Sequence, residues 1–295
     1  MYLRRTFDVP VEAADEITAA LGEAGTLGIE EQAAADGVQR LVAYFNAGEA
    51  LDIALPAGAS LVEETELPAE DWMAGYRAAA QALAIGELLW VDPREPSAAE
   101  LGVARDNAPG VPAGRTLLRV PARSAFGTGS HASTRLALRL LERLPLAGAT
   151  VLDVGTGSGI LAIAAVALGA RRAAAFDIDI AAALLAGQHV RLNGMAARIC
   201  CWAGGIDALR SSTQLDIVAA NALPHELREE QRLIAHAVRP GGYLVVSGVP
   251  ATEWAEVRAS WQRRRGLQPL VELHEEEWTA GVLSRPGEWD DDDDA

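Results

Sequence analysis

The sequence predicts an α/β protein in which a mostly parallel sheet carries helices on both faces, preceded by a smaller α+β unit. Three observations support this. From Thr150 onward short apolar runs alternate with helical spacings nearly to the end of the chain, as the strands and crossover helices of a parallel sheet do. The first of those runs breaks into three alternating glycines in VLDVGTGSGIL, Val151 to Leu161, which reads as a strand, a tight loop and a helix start. Ahead of it, residues 1–66 give the order strand, helix, strand, strand, helix, strand of a split βαβ unit.

Taken in order, Tyr2 to Val9 alternates as a strand, and Val11 to Ala24 has helical spacing stopped by Gly25. Strands follow at Leu27 to Gln32 and Val38 to Phe45, then a short helix near 46–54 and a strand at Ser60 to Glu66. Residues 67–114 read as a bridge: a helix from Pro68 to Leu83, a strand at Glu87 to Val91, and a Pro-, Gly- and Ala-rich linker over Asp92 to Gly114. The large domain spans 115–286. It opens with a strand at Thr116 to Val120, a second glycine segment, FGTGSHAST at Phe126 to Thr134, and a helix from Arg135 to Leu144. Its sheet strands fall at Thr150 to Val154, Arg172 to Asp177, Arg198 to Trp202, Leu215 to Ala220 and Gly242 to Val246, with Asn193-Gly194 and Pro240-Gly241 as stops. Two more strands, Leu267 to His274 and Glu277 to Ser284, meet at a sharp turn, and 287–295 is a solvated acidic tail.

The 295 residues suffice for two cores, and the formal charge of −16 argues against a direct nucleic-acid surface and for a basic partner. MYLRRTFDVP has no apolar core of a signal peptide, and Ile160 to Ala170 is too short to span a bilayer, so the expectation is a cytoplasmic protein without membrane contact; a monomer is expected as well, though no residue pattern specifies the oligomeric state. Cys200 and Cys201 are adjacent in a strand-like run and read as core thiols, and five scattered histidines offer no metal site.

Ligands of open α/β sheets sit beyond the carboxyl ends of the strands, so the residues ending each strand are the candidates. Gly155, Gly157 and Gly159 allow close backbone approach, ahead of the free N–H groups of the helix that begins at Ile160. Asp177 ends the second strand, where a carboxylate can accept both ribose hydroxyls of an adenosine; the plainer reading is a solvated cap, a role Asp179 fills better. Asn221 ends the fourth strand in AANALPHEL, either to orient an attacking amine or to cap the helix near Pro224. His131, Ser133 and Thr134 sit at a helix start, with His131 in a loop hydrogen bond and without the partner of a general base. Trp202 reads equally as an adenine platform or a core tryptophan.

With Asp153 ahead of the first glycine, the loop resembles motif I of the S-adenosylmethionine-dependent methyltransferases. The segments AEDWMAGYRA, GELLWVDP, AFGTGSHASTRLAL, VLDVGTGSGILAIAAVALGA, AFDIDIAA, VAANAL, RPGGYLVVSG and EEEW together resemble the bacterial ribosomal protein L11 methyltransferases of the PrmA type. FGTGSHAST is the most specific of them, being similar to the family's FGTGTHPTT, with departures at Ser130, Ala132 and Ser133 and upstream at Ala122 to Ser124. The resemblance implies a Rossmann-like seven-stranded class I methyltransferase domain, with Thr134, Gly155, Asp177 and Asn221, together with Gly157 and Asp153 of the glycine motif, as S-adenosylmethionine-binding residues. It implies that the ferredoxin-like amino-terminal domain grips a basic ribosomal protein, and that lysine ε-amines, in some members an α-amine, are methylated. Asn221 would position the amine, with no dedicated base.

Three other readings remain: the same fold acting on another protein or a small molecule, a non-catalytic S-adenosylmethionine-binding module, and a nicotinamide oxidoreductase. The last is disfavoured because Ile160 stands where the dinucleotide fingerprint has a third small residue.

Overall fold

Alternation along the first strand organises the amino-terminal unit. In the computed structural model, β1 (Tyr2–Pro10) turns Leu3, Phe7 and Val9 to one face, where they meet Leu41, Ala43 and Phe45 of β3 (Val38–Asn46). β2 (Gly28–Gln32) and β4 (Ser60–Leu67) flank this pair in an antiparallel sheet of order β2-β3-β1-β4, the order of a split βαβ unit. Helix α1 (Ala14–Glu23) spaces Ala14, Ile17 and Leu21 along one stripe and buries them on that face. Arg5 lies in the same row, its guanidinium 5.1 Å from the Phe45 ring centroid and 2.6 Å from Glu64.

The structure describes residues 2–24, 26, 28–32, 37–46, 55, 58–67, 80–101, 108–122, 129–210, 212–264 and 266–287. The chain divides into two units, Met1–Trp72 and Met73–Ala295. The helix expected near 46–54, most of that expected over 68–83, and the acidic tail from 288 lie outside the described residues.

The described part of the expected bridge is not a linker but a piece of the second unit. β5 (Leu83–Ile85) and β6 (Leu89–Asp92) form an antiparallel pair, and β6 runs parallel to β7 (Thr116–Arg119) in a three-stranded sheet; the short helix α2 (Ala98–Leu101) lies in the connection. Leu83, expected on the helix, thus begins a strand. Long-range contacts decide the outcome: Ile85, Leu89 and Val91 are buried in the main core, and the Glu142 carboxylate accepts the N–H groups of Glu87 and Leu88 at 2.9 and 3.0 Å. Arg115 donates to the carbonyls of Leu89 and Gly86 at 2.7 and 3.0 Å.

The rest of the unit is a doubly covered sheet. In chain order it contains α3 (Ala132–Leu141), β8 (Thr150–Val154), α4 (Ile160–Ala167), β9 (Arg172–Asp177), α5 (Ile180–Leu192), β10 (Ile199–Ala203), β11 (Leu215–Asn221), α6 (Pro224–Leu227), α7 (Gln231–Ala237), β12 (Val238–Pro250), α8 (Trp254–Gln262), β13 (Gln268–Glu275) and β14 (Trp278–Ser284). The seven strands run β10-β9-β8-β11-β12-β14-β13, parallel as far as β12, with β14 antiparallel to both β12 and β13. Alternation on β8 splits its side chains between two cores: Val151 packs with α3 and α4, while Leu152 and Val154 join Val218, Val246 and Trp261 on the other face. β12 begins at Val238, ahead of the expected Gly242, because Pro240 and Gly241 fall in a register irregularity that still pairs Val238 with Leu215.

Candidate active site

The strand order reverses between β8 and β11, since β9 and β10 extend to one side and β12 to the other. Such a switch point opens a crevice at the carboxyl ends of the two central strands. Val154 and Ala220 are register partners there, so Gly155 and Asn221 leave adjacent strand ends side by side.

The glycine loop follows from its dihedral angles. Gly155, Gly157 and Gly159 have φ of 62°, 53° and 85°, which side chains rarely adopt. A Cβ on Gly159 would lie 3.2 Å from Ala186 of α5, so this glycine lets two helices approach. A Cβ on Gly155 would meet nothing within 4 Å, so that glycine keeps open space in front of the backbone. The Gly157 N–H donates to Asp177 Oδ2 at 2.8 Å, and the Asp179 N–H donates to Asp177 Oδ1 at 3.0 Å. Asp177 is therefore oriented by two backbone donors while half-buried, with acceptor positions to spare. Asp179 caps α5 by accepting the Ala181 N–H at 2.8 Å.

Opposite this loop lies the second glycine segment, described from Gly129 onward. A Cβ on Gly129 would stand 3.2 to 3.5 Å from Val91, Ile85 and Ile160, and its φ is 87°. Gly129 thus rests on Ile160, the first residue of the helix after the other glycine loop. That contact explains a large residue where a dinucleotide fingerprint has a small one: the Ile160 side chain supports a second loop. α3 starts at Ala132, three residues before the expected Arg135, because His131 caps it: its Nδ1 accepts the Ser133 N–H at 3.3 Å and lies 2.8 Å from Ser133 Oγ. The early start places Thr134, fully buried, in the first turn, where its Oγ1 accepts Asn221 Nδ2–H at 3.3 Å. Ser247, the register partner of Asn221, donates to the Ser133 carbonyl at 2.7 Å. Asn221 does not cap α6, whose cap is Leu223. Its Oδ1 is buried and has no hydrogen-bond partner among the described residues.

Among the residues expected at the site, Thr134 and Asn221 meet, Gly157 is bonded to Asp177, and Gly155 leaves the strand end beside Asn221. Two placements bear on the expected cofactor contacts. Asp153 is only 1% exposed and lies beneath the loop: its Oδ2 accepts Thr156 Oγ1–H at 2.6 Å and the Ala162 N–H at 3.1 Å, so it shapes the loop from below. Burial pushes its carboxyl up to about 7, against those two donors and with the Asp177 charge adding to the rise. The Gly157 N–H points to Asp177 and so ties the loop to the end of β9. Trp202 stacks on Phe176, with ring centroids 5.1 Å apart and planes at 26°. Cys200 is exposed rather than a core thiol, because β10 is the outermost strand; Cys201 is half-buried, and burial raises its thiol to about 11. Sequence reasoning gave no role to Arg135, Ser247, Glu275 or Trp278, although AFGTGSHASTRLAL and EEEW contain three of them.

Residues 36–286 match the family described as ribosomal protein L11 methyltransferase (PrmA). The chain belongs to this family. The Pelobacter propionicus ribosomal protein L11 methyltransferase is 30% identical over 315 residues, covering 96% of this chain and 97% of that one. The Actinobacillus succinogenes member is 41% identical over 154 residues, 52% of this chain and 51% of its own. Among solved structures, the ribosomal protein L11 methylase of Lactobacillus delbrueckii subsp. bulgaricus superposes with a TM-score of 0.59 at 25% identity, covering 70% of this chain and 98% of that one.

As a member of the family, the protein is a methyltransferase that uses S-adenosylmethionine. The site fits that cofactor: open space over Gly155, a preset carboxylate on Asp177 and a buried Asn221 side-chain carbonyl without a partner among the described residues together suit a ribose, an amino-acid moiety and an incoming amine. Among the described residues no helix is long and apolar enough to cross a membrane, and no group of three His, Cys, Asp or Glu side chains is placed to hold a metal.

Proposed function

We propose that this protein methylates lysine ε-amines of ribosomal protein L11, with Asn221 as the residue that positions the amine. The observation behind this reading is the Asn221 side chain, whose amide is tied to Thr134 while its Oδ1 is buried and lacks a donor among the described residues. A buried acceptor without a donor is costly, and an incoming amine N–H would satisfy it. Bound S-adenosylmethionine supplies an already activated methyl group. The chain's own work is then positioning: Asp177 takes the ribose hydroxyls, Thr134 and Asn221 fix the donor side and the amine, and desolvation in the crevice favours the neutral lysine over its cation. His131 is engaged with Ser133 and serves the loop rather than a proton transfer.

The amino-terminal unit is the domain we assign to substrate capture. Its edge strand β4 exposes Leu61, Val62 and the Glu66 carboxylate beside Glu63 and Glu64, which pair with Arg4 and Arg5, and the whole chain carries −16, a match for a basic protein partner. Incubating the full-length protein with radiolabelled S-adenosylmethionine and total ribosomal protein tests both assignments. Label should appear in ribosomal protein L11 at lysines, and Asn221→Ala should lose activity at saturating S-adenosylmethionine by far more than calorimetry shows it to lose in S-adenosylhomocysteine affinity. Label on other proteins alone, or full activity in Asn221→Ala, would refute the reading.

A further inference from the structure

The segment Gly129 to Thr134 presents Thr134 to Asn221, and what holds its outer side is a cluster of charges from the far end of the chain. Arg135, just after Thr134, donates from Nε to Glu275 Oε1 at 2.5 Å and from Nη2 to Glu276 Oε1 at 3.1 Å, and its Nη1 turns back to the Ser130 carbonyl. Arg139, one turn further along α3, donates to Glu275 Oε2 at 3.2 Å. Both oxygens of Glu275 are thus occupied by guanidinium groups. The same turn of chain carries Trp278, whose ring meets His131 edge to face with centroids 4.9 Å apart. Glu276, between them, has φ of 55°, which makes the turn that presents Glu275 and Trp278 together.

From this geometry we infer that Glu275 is a positioning residue for methyl-donor binding: its carboxylate, clamped between Arg135 and Arg139, fixes the Ser130–Thr134 segment against Asn221. The inference rests on the assignment of Thr134 and Asn221 to the cofactor site. Arg135 and Glu275 are only 22% and 26% exposed, so the clamp is shielded from solvent more than an ordinary surface pair. Its removal releases Arg135 from Glu275, and with it the Ser130 carbonyl that Arg135 holds. The segment remains anchored inwardly by Ser247 and by the contact of Gly129 with Ile160, so it should loosen rather than unfold.

A control lies on the same strand. Glu272 pairs with Arg258 at 2.7 Å at similar burial, yet touches α8 rather than the loop. In the full-length protein, calorimetric titration with S-adenosylhomocysteine should show Kd raised about tenfold in Glu275→Gln, the scale of losing one charge-assisted hydrogen bond, and unchanged in Glu272→Gln. The KM for S-adenosylmethionine should rise in parallel while kcat at saturation stays within about twofold, as expected when ground-state and transition-state binding weaken equally. An unchanged Kd in Glu275→Gln, or an equal rise in Glu272→Gln, would overturn the inference. Should Glu275→Gln not fold, Arg139→Gln removes one of the two clamping donors and is read in the same way. Asp177→Ala, run alongside, separates the two levels: if its Kd is also unchanged the site assignment fails, and if it alone weakens only the clamp fails.

Discussion

Two glycines with nearly the same backbone strain but different surroundings should respond differently to one added methyl group. Gly155 and Gly129 have φ of 62° and 87°, so alanine at either costs about 1–2 kcal/mol in backbone strain. At Gly155 that is the whole cost to the free protein, because the new Cβ would meet nothing within 4 Å. At roughly 2–4 °C per kcal/mol for a unit of this size, Gly155→Ala should lower the melting temperature by roughly 2–8 °C. At Gly129 the Cβ presses on Val91, Ile85 and Ile160 at 3.2, 3.3 and 3.5 Å, adding an overpacking cost of about 1–3 kcal/mol and lowering the melting temperature about twice as far. Ligand binding should show the opposite order. The Gly155 methyl occupies the open space assigned to the cofactor and should weaken S-adenosylhomocysteine at least about tenfold, or ~1.4 kcal/mol. Thermal melts with and without ligand measure both quantities. A Gly155→Ala protein that binds normally, or one destabilised as much as Gly129→Ala, would refute the claim that this glycine is kept for ligand access.

Two further predictions concern acidity. Because burial raises the Asp153 carboxyl to about 7 from an ordinary value of 3.8, its contribution to stability is complete below about pH 4 and fades as pH rises through about 7. Melting temperatures of the ligand-free protein and of Asp153→Asn, compared from pH 5 to pH 8, should therefore shift in favour of the variant as pH rises; parallel curves would contradict it. Asp216 behaves oppositely. Burial would raise it, but the Thr150 hydroxyl and amide at 2.6 and 2.7 Å and Arg239 at 2.7 Å outweigh that and hold it at about 2. Its stabilisation is present above about pH 4 and is lost as pH falls through about 2, so Asp216→Asn should destabilise the protein at pH 7 and by much less at pH 2, as acid-titrated circular dichroism would show.

The parts of the site that were legible in the sequence are the local ones. Strands Thr150–Val154 and Arg172–Asp177 fall where their apolar runs end, and the three glycines of the loop take the left-handed dihedral angles that their spacing implied. Asp177 could be placed because a carboxylate at a strand end needs only local chemistry to be recognised. The opposing wall was not legible in the same way. Asn221 reaches Thr134 across 87 positions and Arg135 reaches Glu275 across 140, and no periodicity links residues so far apart. Leu83 shows the same limit from another side: its neighbours suit a helix, but pairing with Val91 and packing of its half-buried side chain against the main core make it a strand. Cys200 reads as core because its run is apolar, and is exposed because β10 has a neighbour on one side only.

The strand order has a consequence for how the enzyme is made. β14 lies between β12 and β13, so β13, although synthesised first, has no place in the sheet until β14 exists. Both glycine loops, Asp177 and Asn221 leave the ribosome well before Glu275 and Trp278. A nascent chain halted ahead of the final hairpin would carry every residue assigned to the methyl donor and lack the ones that brace them. In the order of translation, the hairpin is the final step in assembling the catalytic crevice.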